Sequence, residues 1–234
     1  MSVRIEIIKT ADQSNTLYVP ELKETYHSRN GALQESQYVF IEQGLNWKAG
    51  SSSSICILEV GFGTGLNAFL TLLANQSFNL KIDYHALETH PVPDALIAVL
   101  NYTNLAPNAD PQLFFRLHQA EWNAPVELNS GFTLHKHLCS LLDYQPDLKF
   151  DLVYFDAFAP DKQPELWTLA VFQQIHSWMN PGGILVTYSS KGEVKRNLRA
   201  AGFSVDRLPG PPMKRHMVRA SVPITPDSTD HSTV

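Results

Sequence analysis

Three carboxylates and a run of alternating glycines are the residues in this chain that could do chemistry together. Glu59-Val60-Gly61-Phe62-Gly63-Thr64-Gly65-Leu66 puts a glycine at every second place just after an acid. Such a turn can bend sharply and leaves no side chain over whatever sits on it. The dinucleotide fingerprint G-x-G-x-x-G needs its third glycine at the sixth place, which is Leu66 here; the third glycine comes early, at Gly65. An acid directly ahead of the turn would repel a pyrophosphate and suits a cation. Glu88 stands 27 residues after Gly61, where an acid can grip ribose hydroxyls. Asp156 closes a third apolar run, at a strand's carboxyl end, which in this kind of fold points into the ligand crevice. S-adenosylmethionine (SAM) has the ribose and the positive charge and lacks the phosphate. The expected cofactor is therefore SAM, with Glu59, Gly61, Gly63, Gly65, Glu88 and Asp156 around it.

Strand tips must bring these groups together. Ile55 to Val60 is a short apolar run after the serine spacer Ser51 to Ser54, and reads as a buried strand. Asn67 to Ala74 carries helix formers. Lys81 to Leu87 reads as a second strand ending at Glu88, and Phe150 to Asp156 as the clearest later one. Ile184 to Tyr188 is another. Residues 94–101 read as helical, Leu113 to Leu117 and Phe132 to Leu138 as strand material, and Leu138 to Leu142 as the start of a short helix. Leu169 to Met179 reads as a helix ended by Pro181-Gly182-Gly183, and Gly192 to Ala201 as one stopped by Gly202. Phe203 to Leu208 and Met217 to Val222 suggest a closing antiparallel pair. Repeating β–α units imply an α/β fold with a doubly wound, largely parallel sheet. Ahead of it, residues 3–8 alternate as a half-buried strand, with Leu17 to Val19 as its partner, and a helix follows a turn at Asn30-Gly31. The expected division is residues 1–50 as a small β-rich and helical addition, 51–222 as the core, and 223–234 as an unstructured tail.

Composition sets bounds. The 234 residues are 44% hydrophobic and 18% charged, ordinary globular values. No run approaches the roughly 20 apolar residues of a membrane span. The N-terminus lacks the apolar core of a signal peptide, so the expected compartment is the cytoplasm. Two cysteines, Cys56 and Cys139, read as reduced thiols, and no residues have zinc-ligand spacing. The formal charge is −5, yet between Pro181 and Arg219 eight basic residues face only Glu193 and Asp206. That surplus suggests a face for phosphates, with Lys191, Lys195, Arg196, Lys214 and Arg215 as candidate contacts.

Four segments carry a family resemblance: Asn30 to Ser36 (NGALQES), Glu59 to Asn67, Phe155-Asp156-Ala157-Phe158-Ala159-Pro160 with Pro164-Glu165-Leu166-Trp167, and Pro181-Gly182-Gly183. Over about residues 20–220 the chain resembles the methyltransferase half of the bifunctional tRNA 5-methylaminomethyl-2-thiouridine biosynthesis protein, MnmC, in its stand-alone, MnmD-like form. The resemblance implies a class I SAM-dependent methyltransferase fold, Rossmann-like, with an antiparallel C-terminal hairpin and a small N-terminal addition. It implies methyl transfer from SAM to the exocyclic amine of 5-aminomethyluridine, often 2-thiolated, at the wobble position of tRNA. It adds Phe62, Thr64, Asn67, Leu138 and Cys139 to the cofactor side, and Asn30, Glu35 and Ser36 to the substrate side. Asp156 matches the family's aspartate and is the catalytic candidate. Phe158, Tyr154 and Trp167 are candidates to enclose a flipped uracil. His137-Leu138 stands where the family often has Gly-Asp, so an acidic adenine contact is missing; His135 and His137 read as structural. The expected partner is the anticodon stem-loop of tRNA, with no metal and no membrane.

Two other readings fit parts of this pattern. A spermidine-synthase-like aminopropyltransferase uses decarboxylated SAM on a similar fold but needs no basic face. A non-catalytic RNA-binding module with a decayed SAM pocket would not need the acids at all.

Overall fold

A computed structural model of the chain describes residues 4–50, 52–106 and 109–224. Of the tail expected over 223–234, residues 225–234 lie outside the described residues.

The N-terminal segment forms a three-stranded antiparallel sheet, β1 (Glu6–Lys9), β2 (Asn15–Val19) and β3 (Glu24–Thr25); Ile7 pairs with Leu17, but Ile7 is exposed rather than on a buried face as the alternation predicts. After Gly31, α1 (Ala32–Ser36) runs into a π-helical stretch, Gln37–Leu45, and then α2 (Asn46–Ala49). Gly44 in that stretch lies close against Tyr154; a Cβ there would meet the Tyr154 ring at 3.1 Å.

The core begins with β4 (Ser54–Val60), α3 (Leu66–Phe78) and β5 (Lys81–Glu88). Two short helices, α4 (Asp94–Ile97) and α5 (Tyr102–Leu105), lead to α6 (Pro111–Gln119). Then come β6 (Pro125–Asn129), β7 (Phe132–Leu138), β8 (Phe150–Phe155), α7 (Leu169–Ser177), β9 (Met179–Thr187), α8 (Gly192–Ala200), β10 (Ser204–Pro209) and β11 (His216–Ser221). The eight strands β4 to β11 make one sheet in the order β10-β11-β9-β8-β4-β5-β7-β6. The five central strands from β9 to β7 are parallel; β6 and β11 pair antiparallel at either side. The chain leaves β4 in one direction through β5 and β7, then returns to the other side through β8 and β9. The strand order therefore reverses between β4 and β8, and a crevice opens at their carboxyl ends. Apolar layers cover both faces, one under α3, α6 and the π-helical stretch, the other under α7 and α8.

Three local expectations are corrected. Leu113 to Leu117 lies in helix α6, not a strand: Asp110 caps it by accepting from the Gln112 N–H at 2.9 Å, Pro111 presets the first turn, and Phe114 and Leu117 bury one stripe. Leu138 to Leu142 forms no helix. Leu138 ends β7 beside Glu88, and Ser140 accepts from the Leu142 N–H, holding a turn instead. Pro181 to Gly183 does not end a helix. α7 stops at Ser177, and these residues lie inside β9, where its register against β8 shifts.

Candidate active site

A cavity of about 1000 Å³ opens at the β4–β8 reversal. Its wall takes residues from the carboxyl ends of β4, β5, β8 and β9, and Ile5, Val19, Tyr26 and His27 from the N-terminal segment.

The glycine turn makes the floor. Gly61 has φ +90°, and a Cβ there would meet the Asp156 carbonyl oxygen at 2.9 Å, so only glycine lets the tips of β4 and β8 approach. Gly61 and Phe62 both donate their N–H to the Leu87 carbonyl, at 3.1 and 3.0 Å, which ties the turn to β5. Gly63 and Thr64 reach the cavity; Gly65 does not. It starts α3 at φ +69° and lets α6 pack close, with the ends of Leu117 and His118 at 2.9 Å from where its Cβ would be. The Thr64 hydroxyl bonds the His27 Nε2 at 2.6 Å and accepts from the Tyr102 hydroxyl at 3.3 Å. That joins the turn to the N-terminal segment. Burial lowers the pKa of His27 to about 4, so the ring is neutral in this contact.

Glu88 is held by three backbone amides: Gly63 donates to one oxygen at 2.9 Å, Thr89 and His90 to the other at 2.8 Å each. The carboxylate lies in the wall with lone pairs to spare for hydroxyls. Asp156 lies in the wall at the tip of β8, and its Oδ2 accepts from the Asn67 Nδ2 at 2.8 Å. Burial raises its pKa well above the usual carboxylate range; the Asn67 bond pulls it back down, Glu35 pushes it up, and Lys214 lowers it. Glu35 pairs with Lys214 across the same cavity, and the Lys214 ammonium sits 4.7 Å over the Tyr188 ring. Tyr188 donates to the Ala157 carbonyl at 2.9 Å, and Tyr26 meets Phe158 edge-on at 5.3 Å.

Several expected site residues stand elsewhere. Glu59 is fully buried behind the turn and does not line the cavity. Neither of its carboxylate oxygens has a hydrogen-bond partner, and burial first, then Asp156, pushes its pKa well up. Asn67 likewise stays out of the wall and acts through Asp156. Leu138 is 48% exposed and outside the wall, because strand alternation turns it away; Cys139 is inside. Of the NGALQES residues only Glu35 reaches the cavity. Asn30 is exposed on the turn, and Ser36, one position on around the helix, is buried on another face. Tyr154 and Trp167 cannot stack on a base: both are buried, Tyr154 against Phe40 and Trp167 against Phe155. Trp167 instead donates its indole N–H to the Phe158 carbonyl and holds that loop. Phe158 does line the cavity. Lys214 turns into the cavity rather than toward a phosphate face, and Lys191 pairs with Asp161 at 2.6 Å. Lys195 is half-buried on α8, whereas Arg196 and Arg215 are exposed. Tyr26, His27 and Tyr188 were not foreseen. Tyr188 alone had a legible signal, its place at the end of a predicted strand.

The charge of the wall tests whether a cationic cofactor fits. Glu21, Glu24, Glu35, Glu88, Asp156 and Glu165 line it, against Lys214 as the one lysine or arginine among the described residues. The wall is thus short of positive charge, and burial holds the pKa of Asp156 in it, and of Glu59 behind it, well above the usual carboxylate range. A sulfonium and an ammonium meet that demand, and a pyrophosphate does not.

Strand order, glycine turn and acidic crevice together define a class I SAM-dependent methyltransferase. A family model described as S-adenosyl-L-methionine-dependent methyltransferase matches residues 122–223. The tRNA 5-methylaminomethyl-2-thiouridine biosynthesis bifunctional protein MnmC of Chromobacterium violaceum is 31% identical over 220 residues, covering 88% of this chain and 33% of that protein. The protein of the same name from Ralstonia nicotianae is 33% identical over 213 residues, covering 86% of this chain and 32% of its own length. The chain thus spans about one third of the length of these curated relatives. The crystal structure of MNMC2 from Aquifex aeolicus superposes with a TM-score of 0.77 at 28% identity, over 97% of this chain and 74% of that one. Over most of its length the chain is thus similar to one part of the MnmC proteins.

Proposed function

We propose that this chain methylates the exocyclic primary amine of 5-aminomethyluridine, with or without 2-thiolation, at the wobble position of tRNA. The observation that carries this reading is Asp156, which faces an acidic cavity at the strand reversal and is held there by Asn67. The names of these relatives support the substrate.

An alkyl amine with a pKa near that of lysine, about 10.4, is mostly protonated at neutral pH. It has no lone pair to attack with until it loses a proton. Glu35 and Asp156 offer carboxylates to an ammonium, and Asp156 takes or relays its proton. The raised pKa of Asp156 makes it a better base than an ordinary aspartate once it is ionised. Glu88 and the turn at Gly61 to Thr64 hold the cofactor, and Tyr26, Phe158 and Tyr188 close the cavity around the base. When bound, SAM supplies an electrophilic methyl group on a sulfonium. Arg196 and Arg215, with Lys191 and Lys195, meet the phosphates of the anticodon stem. Such a substrate puts the chain in the cytoplasm. Among the described residues no helix is long and apolar enough to cross a membrane.

The test is nucleoside mass spectrometry of tRNA from a strain lacking the activity, incubated with the protein and SAM. The expected product is a gain of one methyl on the aminomethyl nucleoside. Unchanged tRNA, with a polyamine alkylated from decarboxylated SAM instead, would overturn the proposal.

A further inference from the structure

One face of the sheet away from the glycine turn carries a cluster that the methyltransferase chemistry does not use. β4 and β5 run parallel with Cys56 paired to Asp83, and β5 and β7 with His85 paired to His135. Side chains at alternate positions share a face. Cys56, Asp83, His85, His135 and His137 therefore point the same way. Candidate ligand atoms of Cys56, Asp83 and His85 all lie within 4.8 Å of one another.

We propose that Cys56, Asp83 and His85 form a binding site for a divalent transition metal, zinc by its ligand set. A thiol, an imidazole and a carboxylate are the three donor types that zinc takes, usually with tetrahedral geometry. Ligands about 2.0–2.3 Å from such an ion lie roughly 3.3–3.8 Å from each other. His85 Nε2 and Asp83 Oδ2 are already 3.4 Å apart.

The state of His85 is the second observation. Its ring is 4% exposed, and Nε2 carries no hydrogen bond while it faces the carboxylate. Its Nδ1 lies 3.0 Å from His137 Nε2. A proton on Nδ1, donated to His137, leaves the Nε2 lone pair directed into the cluster. Metal-bound histidines are commonly held in this way by a partner on the other ring nitrogen. Asp83 is fixed similarly: His135 Nε2 lies 2.7 Å from its other oxygen, Oδ1. The rings of His85, His135 and His137 are stacked nearly parallel, with centroids 4.2 Å apart for His85–His135 and 5.3 Å for His85–His137. Two of the three ligands, His85 and Asp83, are thus oriented before an ion arrives.

Charge balances. Cys56 gives up its thiol proton to solvent on binding, and one thiolate with one carboxylate neutralises a doubly charged ion. Asp83 is half exposed, which leaves an approach for the ion and a fourth position for water. The site would clip β4 to β5 below the strand tips that hold Gly61 and Glu88.

The full chain, freed of metal with a chelator, is titrated with zinc against a chromophoric competitor and, separately, with cobalt. One equivalent is expected to bind, with a thiolate-to-cobalt absorption band and a rise in melting temperature with zinc. Cys56→Ser is expected to abolish the band and weaken zinc binding by at least tenfold, as is Asp83→Asn; Cys139→Ser leaves both intact. His137→Gln, which touches no metal, is expected to weaken binding about tenfold and keep the band. Far-ultraviolet dichroism of every variant, and SAM affinity of the Cys56, Asp83 and His137 variants, check that they fold; should Cys56→Ser fail, Asp83→Asn decides. No stoichiometric binding, or binding that survives both Cys56→Ser and Asp83→Asn, overturns the proposal.

Discussion

At the residue scale the proposed chemistry rests on Asp156, whose charge Asn67 helps to set, while Glu59, buried behind the turn, bears on stability. Asp156→Ala is expected to keep SAM affinity within a few-fold and to slow methylation by about 10²–10⁴, the usual worth of a general base. Calorimetry and single-turnover rates separate the two, and full activity in that variant ends the assignment. Asn67 donates to Asp156 and lowers its pKa. Asn67→Ala is therefore expected to move the acid limb of the kcat/KM profile to higher pH, whereas a purely structural role would lower the whole profile evenly. Glu59 gives a stability prediction whose sign follows from its raised pKa. Above the ordinary carboxylate pKa of about 4.3 the unfolded chain has lost this proton, while the folded chain keeps it. Folding then opposes ionisation, so stability falls as pH rises from there toward the raised folded value. Glu59→Gln cannot ionise, and its melting temperature is expected to fall less between pH 5 and pH 8 than that of the parent, as scanning calorimetry can read.

At the scale of elements, the glycine turn is held from four sides: by β8 through Gly61, by β5 through the Leu87 carbonyl, by α6 through Gly65 and by the N-terminal segment through Thr64 and His27. Gly65→Ala puts a side chain at φ +69° and against Leu117 and His118. It is expected to destabilise the fold by roughly 1–3 kcal/mol in denaturant titration. The first β–α unit was legible because its signals are local: an apolar run, three glycines, then helix formers. Helix α6 was misread because Leu113 to Leu117 is apolar in either period, and its deciding signals, Asp110 and Pro111, lie just outside the run. The turn after β7 was misread because Ser140 bonds the backbone locally, a competition that apolar spacing does not record. The aromatic residues divided for a different reason. Phe158, Tyr154 and Trp167 have similar chemistry in sequence, but only the first lines the cavity.

Across the whole molecule, charge is split between an acidic cavity and a basic C-terminal quarter. Lys195, Arg196 and Arg215 lie outside the cavity wall, whereas Lys214 belongs to it. Replacing those three with Glu is expected to weaken tRNA binding by at least tenfold and flatten its salt dependence, with SAM affinity unchanged. Filter binding across a salt series reads the first two effects, and equal loss of both ligands would indicate misfolding instead. Sequence alone determined the α/β class, the cationic cofactor and the tips Glu88 and Asp156, because β–α alternation and glycine spacing act over a few neighbouring residues. Only the tertiary structure decided that Glu59 is buried behind the turn, that Lys214 faces Glu35, and that Cys56 meets Asp83 and His85. Those meetings depend on strand register and side-chain direction between segments far apart in the chain, and a one-residue slip in register would turn every such group to the opposite face.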